Sequence, residues 1–272
     1  MPTTESNGIT LSYTDSGGDG RPVVLIHGWP LSGASWSEQV PAFTEAGHRV
    51  ITYDRRGFGA SGKEPSYDYD TFAEDLAGLL DHLDVTDATL VGFSMGGGEI
   101  ARYLGTRGSQ RIRSAVFAGA VPPYLLKTDD NPDGGLADED VEGMKAGAAE
   151  DREGFLDGFT KDFFSANGEL KVTEDQRQEA LRLAEPADQE ALLGCIDAFG
   201  RTDFRADLER IDVPVLVIHG DADAIVPIEV SGERTAASVS DAELHVVKDG
   251  PHGFNVSHAD EFNRVVLDFL AT

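Results

Sequence analysis

Apolar residues come in short runs along the chain, at 9–13, 23–26, 50–53, 89–93, 115–118, 215–218 and 244–247. Runs of this length, rich in β-branched residues, read as strands. Several are apolar throughout instead of alternating with polar residues, as a strand covered on both faces must be, so the predicted sheet is mainly parallel. The run at 9–13 is more polar and lies near the beginning; it reads as an antiparallel edge strand. Helix-length segments separate most of the runs, with helices predicted at 36–46, 69–83, 95–106, 229–240 and 259–270. Strands and helices in alternation describe an α/β architecture.

The alternation fails between 122 and 205. This interval opens on Pro122-Pro123, crosses an acidic stretch at 128–142 with the turn signal Asn131-Pro132-Asp133-Gly134-Gly135, and then shows helical spacing of Phe155, Phe159 and Phe163. Roughly four helices with no strand between them are expected, as an insertion over the end of the sheet. The domain reading is therefore a core of residues 1–121 and 206–272 interrupted by a helical cap of 122–205. The acidic opening also fits a solvated surface loop. There is no internal repeat.

Composition narrows the class. A chain of 272 residues, 40% hydrophobic, suffices for one large core. It has no run of about 18 apolar residues, and its start lacks a basic segment followed by an apolar one, so a soluble, unexported protein is expected. Cys195 is the only cysteine, which excludes an intramolecular disulfide and a thiolate metal cluster. A cytoplasmic home is the simplest fit.

Charge changes the picture more. Acidic residues outnumber basic ones 49 to 22, for a net charge of −27, where small domains more often carry a magnitude of roughly 2 to 8. Such a surface repels phosphate backbones, so nucleic acid is not an expected partner. Lysines number six among the 22 basic residues and the acids are spread along the chain. Both features fit a protein of a salt-accumulating cell, where the Debye length falls to about 3 Å at 1 M and screens the self-repulsion. The alternative is an acidic soluble protein with no such habitat.

The chemistry begins at Gly92-Phe93-Ser94-Met95-Gly96, between the strand at 89–93 and the helix at 95–106. A serine at a sharp strand-to-helix turn is strained, its hydroxyl is exposed above the sheet, and small neighbours let the backbones approach. The Met95 amide, at the helix start, is a candidate oxyanion donor. A dinucleotide fingerprint fails here, because Ser94 stands where a glycine must admit the pyrophosphate.

A serine needs a base, and the base needs an orienting group. Of seven histidines, His252 stands in a turn after the last predicted strand, from which it can reach the C-terminal edge of the sheet. His27 and His219 end strands and read as turn residues. The acid is expected between serine and histidine in chain order. Asp221 and Asp223 both qualify, in His219-Gly220-Asp221-Ala222-Asp223; Asp223 is chosen, with Asp221 as its turn-forming neighbour. A metal held by His219 and these aspartates lacks a further ligand. The second oxyanion donor is expected after an early strand, where His27-Gly28-Trp29-Pro30 offers the Trp29 amide, and the Trp29 indole can also wall the pocket.

Together with Tyr53-Asp54-Arg55-Arg56-Gly57-Phe58-Gly59-Ala60-Ser61, Thr202-Asp203-Phe204-Arg205 and Pro251-His252-Gly253-Phe254, these motifs resemble the cofactor-free bacterial haloperoxidases, perhydrolases and aryl esterases of the α/β-hydrolase fold, over nearly the whole chain. The resemblance implies a mostly parallel sheet flanked by helices with a helical cap inserted after the sixth strand. It implies Ser94 as nucleophile, Asp223 as acid, His252 as base, Trp29 and Met95 as oxyanion amides, and pocket walls at Phe93, Val121, Phe159, Phe163, Ile225 and Val226. It also implies no metal or cofactor, and assembly into trimers or hexamers. The substrate would be a small ester or carboxylic acid, with water or hydrogen peroxide as acyl acceptor. A primary haloperoxidase and a lactonase remain alternatives; a non-catalytic binding module is opposed by the intact serine, histidine and aspartate. Dehalogenases and most epoxide hydrolases of this fold place an aspartate at the elbow, where this chain has Ser94. Pro30 has no N–H and restricts the residue before it, so it sets where the Trp29 carbonyl points. Either it favours peroxide as acceptor, as the resemblance to the haloperoxidase members implies, or it only stiffens the loop.

Overall fold

Alternate residues of the central strands point to opposite faces of one sheet, and both sets are buried. The computed structural model describes residues 1–272. In chain order, the strands are β1 (Thr3–Ser6), β2 (Ile9–Asp15), β3 (Pro22–Ile26), β4 (Arg49–Tyr53), β5 (Ala88–Phe93), β6 (Ile112–Ala118), β7 (Ser165–Ala166), β8 (Glu169–Leu170), β9 (Val215–Gly220) and β10 (Ala242–Val247). Eight of them form the sheet β1-β2-β4-β3-β5-β6-β9-β10, and β7 and β8 pair separately. From β4 to β10 every pairing is parallel; β1 and β2 run antiparallel at one side.

The helices are α1 (Gln39–Glu45), α2 (Tyr69–His82), α3 (Met95–Arg107), α4 (Asp138–Glu150), α5 (Arg152–Phe163), α6 (Glu174–Ala184), α7 (Gln189–Arg201), α8 (Arg205–Leu208), α9 (Gly232–Ser238), α10 (Phe254–Ser257) and α11 (Ala259–Leu270). On one face of the sheet Val24, Ile26, Leu90 and Val217 pack with Phe72 and Leu76 of α2 and Ile100 and Leu104 of α3. On the other, Val23, Leu25, Val91 and Leu216 pack with Phe43 of α1 and Phe262 and Val266 of α11. This double cover is why the central strands are apolar at consecutive positions; each such side chain is worth roughly 1.5–3 kcal/mol when fully buried. The helices α4 to α7 fall between β6 and β9 as a cap over the sheet, and their side chains join both clusters: Val141 and Ile196 one, Phe163 and Ala180 the other.

The structure departs from the sequence reading in places. The strand read as an edge, β2, has β1 outside it, joined by a two-residue Asn7-Gly8 turn in which both φ angles are positive. The cap, expected to lack strands, carries the β7/β8 hairpin on a second turn of this kind, Asn167-Gly168. An Asn-Gly pair is the residue choice that a type I′ turn needs. The helix predicted from 36 starts at Gln39, after a 3₁₀ turn at Gly33–Trp36. The helix predicted at 229–240 is a 3₁₀ turn at Ile228–Val230 followed by α9, with the break at Ser231. The acidic stretch is part loop and part α4, whose first turn holds Asp138, Glu139 and Asp140, where the helix dipole favours them. Its Asp130 pairs with Arg205, and Asp138 and Glu142 pair with Arg201.

Candidate active site

The turn from β5 into α3 is tight because two glycines permit it. A methyl group on Gly92 would stand 2.5 Å from the Gly96 carbonyl oxygen, and one on Gly96 would stand 2.4 Å from that of Ile26 on β3. Between them Ser94 takes φ 53° and ψ −118°, a sparsely populated region that costs a non-glycine residue about 1–3 kcal/mol. Its Oγ lies 2.9 Å from His252 Nε2, and His252 Nδ1–H donates to Asp223 Oδ2 at 2.7 Å. The carboxylate fixes the tautomer, which leaves Nε2 free to accept the serine proton. Ser94, Asp223 and His252 are 7%, 5% and 1% exposed.

Asp223 is held from every side. Its Oδ1 accepts from the Ile225 and Val226 amides at 2.9 and 2.8 Å, and Oδ2 also lies 3.3 Å from His219 Nε2. Burial alone would raise the Asp223 carboxyl, but its histidine neighbours and hydrogen bonds outweigh burial and hold it well below the usual carboxylate range. His219, read from sequence as a turn residue, is instead fully buried at the end of β9, where its Nε2–H donates to the Val226 carbonyl at 2.8 Å. Asp221 is exposed and accepts from the Asp249 amide at 2.6 Å, tying its turn to the loop that leads to His252.

The loop after β3 supplies Trp29. Neither the Trp29 nor the Met95 amide donates a hydrogen bond within the protein, so both are available to a developing oxyanion. The loop is pinned from behind by a buried network that the sequence reading missed. Arg55 N–H donates to His27 Nε2 at 3.0 Å, so the imidazole carries its proton on Nδ1 and donates to the Gly28 carbonyl at 2.9 Å. The Arg55 side chain donates to the His27 carbonyl at 2.9 Å and to Glu99 Oε2 at 2.8 Å, and Tyr53 OH donates to the other Glu99 oxygen. Burial and the neighbouring Arg55 hold His27 well below the ordinary histidine range, so it stays neutral. The signal for this network was the Tyr53-to-Ser61 motif; which polar groups meet across β3, β4 and α3 is not written in it.

Above Ser94 is a chamber of about 50 Å³. Four expected wall residues line it: Val121, Phe159, Ile225 and Val226. So do Leu125, Leu136, Met144 and Phe199, which sequence reasoning did not find. Phe199 had a signal, since Leu192, Cys195, Ile196 and Phe199 repeat at helical spacing on α7. Phe93 and Phe163 are not walls of this chamber. Their ring centroids each lie 5.1 Å from that of His252 and 5.8 Å from each other, so they pack together against one flank of the imidazole, and both border a separate cavity of about 150 Å³ that does not include Ser94. Pro30 does not line the chamber either. The Trp29 indole does, with its ring edge-on to Phe159 at 5.0 Å and its N–H donating to the Leu192 carbonyl of α7 at 3.2 Å.

A strained serine, a base with a fixed tautomer and two unpaired amides above a mostly parallel sheet are parts of one recurring design. The sequence profile described as the alpha/beta hydrolase fold matches residues 21–259. The chain belongs to the α/β-hydrolase family. Within the family it is 45% identical to a non-heme chloroperoxidase of Kitasatospora aureofaciens, over 98% of each chain. It is 35% identical to a bifunctional esterase/perhydrolase of Acinetobacter calcoaceticus, again over 98% of each. The crystal structure of a bromoperoxidase from Bacillus anthracis superposes with a TM-score of 0.95 at 53% identity, covering 97% of this chain and 96% of that one. The α/β-hydrolase described here is thus an enzyme. No helix in it is long and apolar enough to cross a membrane.

Proposed function

We propose that this enzyme is a serine esterase that moves small acyl groups from Ser94 to water or to hydrogen peroxide. The hydrogen-bonded run from Asp223 through His252 to Ser94 carries the reading. Ser94 Oγ attacks the ester carbonyl as His252 Nε2 takes its proton, and the Trp29 and Met95 amides receive the negative oxygen. His252 then protonates the leaving alcohol, and an acyl-enzyme remains. Water attacks it to give the acid, or hydrogen peroxide attacks it to give a peracid, which oxidises halide in solution. The relatives named for halide oxidation and perhydrolysis support peroxide as an acceptor. The chamber sets the acyl class: it is small and no charged side chain lines it, so a short, neutral, apolar acyl group fits. Fluorophosphonate labelling of Ser94, with nitrophenyl ester cleavage measured with and without peroxide, tests the reading; an unlabelled serine in the folded protein overturns it.

Pro30 bears on the acceptor. The Trp29 carbonyl accepts no hydrogen bond within the protein, so it is free to accept one from a hydroperoxide, whose second O–H persists in the tetrahedral intermediate. Pro30→Leu is expected to lower the ratio of perhydrolysis to hydrolysis by about tenfold, equivalent to roughly 1.4 kcal/mol, while ester cleavage continues. Peracid measured by monochlorodimedone bromination beside nitrophenyl acetate hydrolysis gives the ratio; no change means that Pro30 only stiffens the loop.

The reading extends to a salt-rich cytoplasm and, on the family resemblance, to trimers or hexamers. The 49 carboxylates exceed the 22 Lys and Arg by 27, a net charge that pairing cannot cancel. Their repulsion weakens the fold in dilute buffer. The melting temperature is expected to rise from low to molar KCl, and a gain of about 2 kcal/mol would move it by roughly 4–8 °C. A flat calorimetric series from dilute to molar KCl removes the halophilic part.

A further inference from the structure

We propose that Met144 is a self-oxidation site, where the peracid formed at Ser94 turns the thioether into a sulfoxide and so switches the acyl chamber off. The inference rests on the peroxide branch of the function proposed above. Met144 projects from α4 of the cap into the chamber that Ser94 opens on, and it is the only sulfur there. A peracid released from the acyl-enzyme therefore starts its life in a space of about 50 Å³ shared with one thioether.

The other sulfurs are placed differently. Met1 is 72% exposed, away from the chamber, and the Met95 side chain is fully buried without lining it. Cys195 is fully buried and also outside the chamber; burial pushes its thiol up to about 12, so it offers no thiolate to an oxidant. Among the chamber residues Trp29 is the other oxidisable group, but a thioether is the softer nucleophile toward an electrophilic peroxy oxygen.

The step balances without another reagent. The sulfur lone pair attacks the terminal peroxy oxygen, the O–O bond breaks as the S–O bond forms, and the peroxy proton passes to the departing carboxylate. Sulfur is oxidised by two electrons, and the peracid is reduced to the carboxylic acid. The resulting sulfoxide is polar and needs hydrogen-bond donors. The donors there are Ser94 and the two amides open to the oxyanion, and the other walls are apolar, so the sulfoxide either takes a donor that the reaction needs or sets a polar, poorly solvated group where an acyl group met an apolar one. Esterase kcat/KM is expected to fall on the order of tenfold or more in the oxidised form. Met144 is only partly buried, so a methionine sulfoxide reductase can restore it.

The experiment incubates the enzyme with acetate and hydrogen peroxide in halide-free buffer, so that no hypohalite forms, and assays peracid in parallel samples. Peptide mapping should find one added oxygen on the Met144 peptide, rising in step with loss of esterase activity, while the Met95 and Cys195 peptides stay unmodified. Peroxide without acetate should leave Met144 intact. Ser94→Ala given preformed peracid at the measured bulk level should be oxidised several-fold more slowly. Met144→Leu should keep its own starting activity several-fold longer than the unaltered enzyme keeps its own. Peracid production with an unmodified Met144, equal oxidation by peroxide alone or by bulk peracid, or equal decay of Met144→Leu overturns the inference and leaves the function standing. No peracid at all overturns this inference and the peroxide branch together.

Discussion

Ser94→Ala is expected to cut ester cleavage by about 10⁴-fold or more, because no other group in the chamber can form an acyl-enzyme. His252→Ala should cost a similar factor. The imidazole is the only base within reach of Ser94 Oγ, and Phe93 and Phe163 pack together against one flank of it. Asp223→Asn should be somewhat milder. The amide still packs, but its nitrogen favours the other imidazole tautomer, with the proton on the Nε2 that faces Ser94. Losses this large should appear in kcat with little change in the melting temperature. A folded Ser94→Ala that keeps most of its activity on nitrophenyl acetate would show that the chemistry lies elsewhere.

The second large effect concerns stability. Arg55 and Glu99 are 1% and 0% exposed, so Arg55→Ala strands a carboxylate in the interior and releases the His27 carbonyl. Breaking one side of a buried pair costs about 3–5 kcal/mol, which for a chain of this size lowers the melting temperature by roughly 6–20 °C. The loop that carries Trp29 loses its anchor in the same substitution, so at a temperature where the variant is folded kcat should fall more than KM rises. Replacing both residues with apolar ones of similar volume should recover much of the stability but not the kcat. Calorimetry with steady-state kinetics on the single and double variants checks this. An Arg55→Ala variant that melts with the parent would mean that the pair contributes nothing.

What the sequence makes legible here follows from how local each signal is. Ser94, His252 and Asp223 each stand just after a strand among small or turn-forming residues, so they could be named one at a time, and the fold brings them into one hydrogen-bonded run. The doubly covered sheet was equally plain, because consecutive apolar residues have no other use in a short strand. The two Asn-Gly hairpins carried a local signal too, but Thr3–Ser6 has no apolar run and β7 and β8 are two residues each. Hydrophobic periodicity cannot register strands so short or so polar. The chamber was harder. Leu125, Leu136, Met144 and Phe199 lie in a loop and on helices whose inward faces depend on how the cap docks. His219 and the Arg55–Glu99 network depend on contacts between distant segments, and a buried polar residue looks in sequence like an exposed one.

Trp29 has one end in each half of the enzyme: its amide is unpaired and, in the proposed mechanism, receives the oxyanion, and its indole hangs from the carbonyl of Leu192 among the cap phenylalanines. On that proposal the part that selects the acyl group and the part that stabilises its transition state share a single residue, its backbone in one and its ring in the other. A cap grafted from a relative would bring its own tilt of that ring, and so its own aim for the amide. On the proposed roles, a change in what is bound is expected also to retune how fast it reacts.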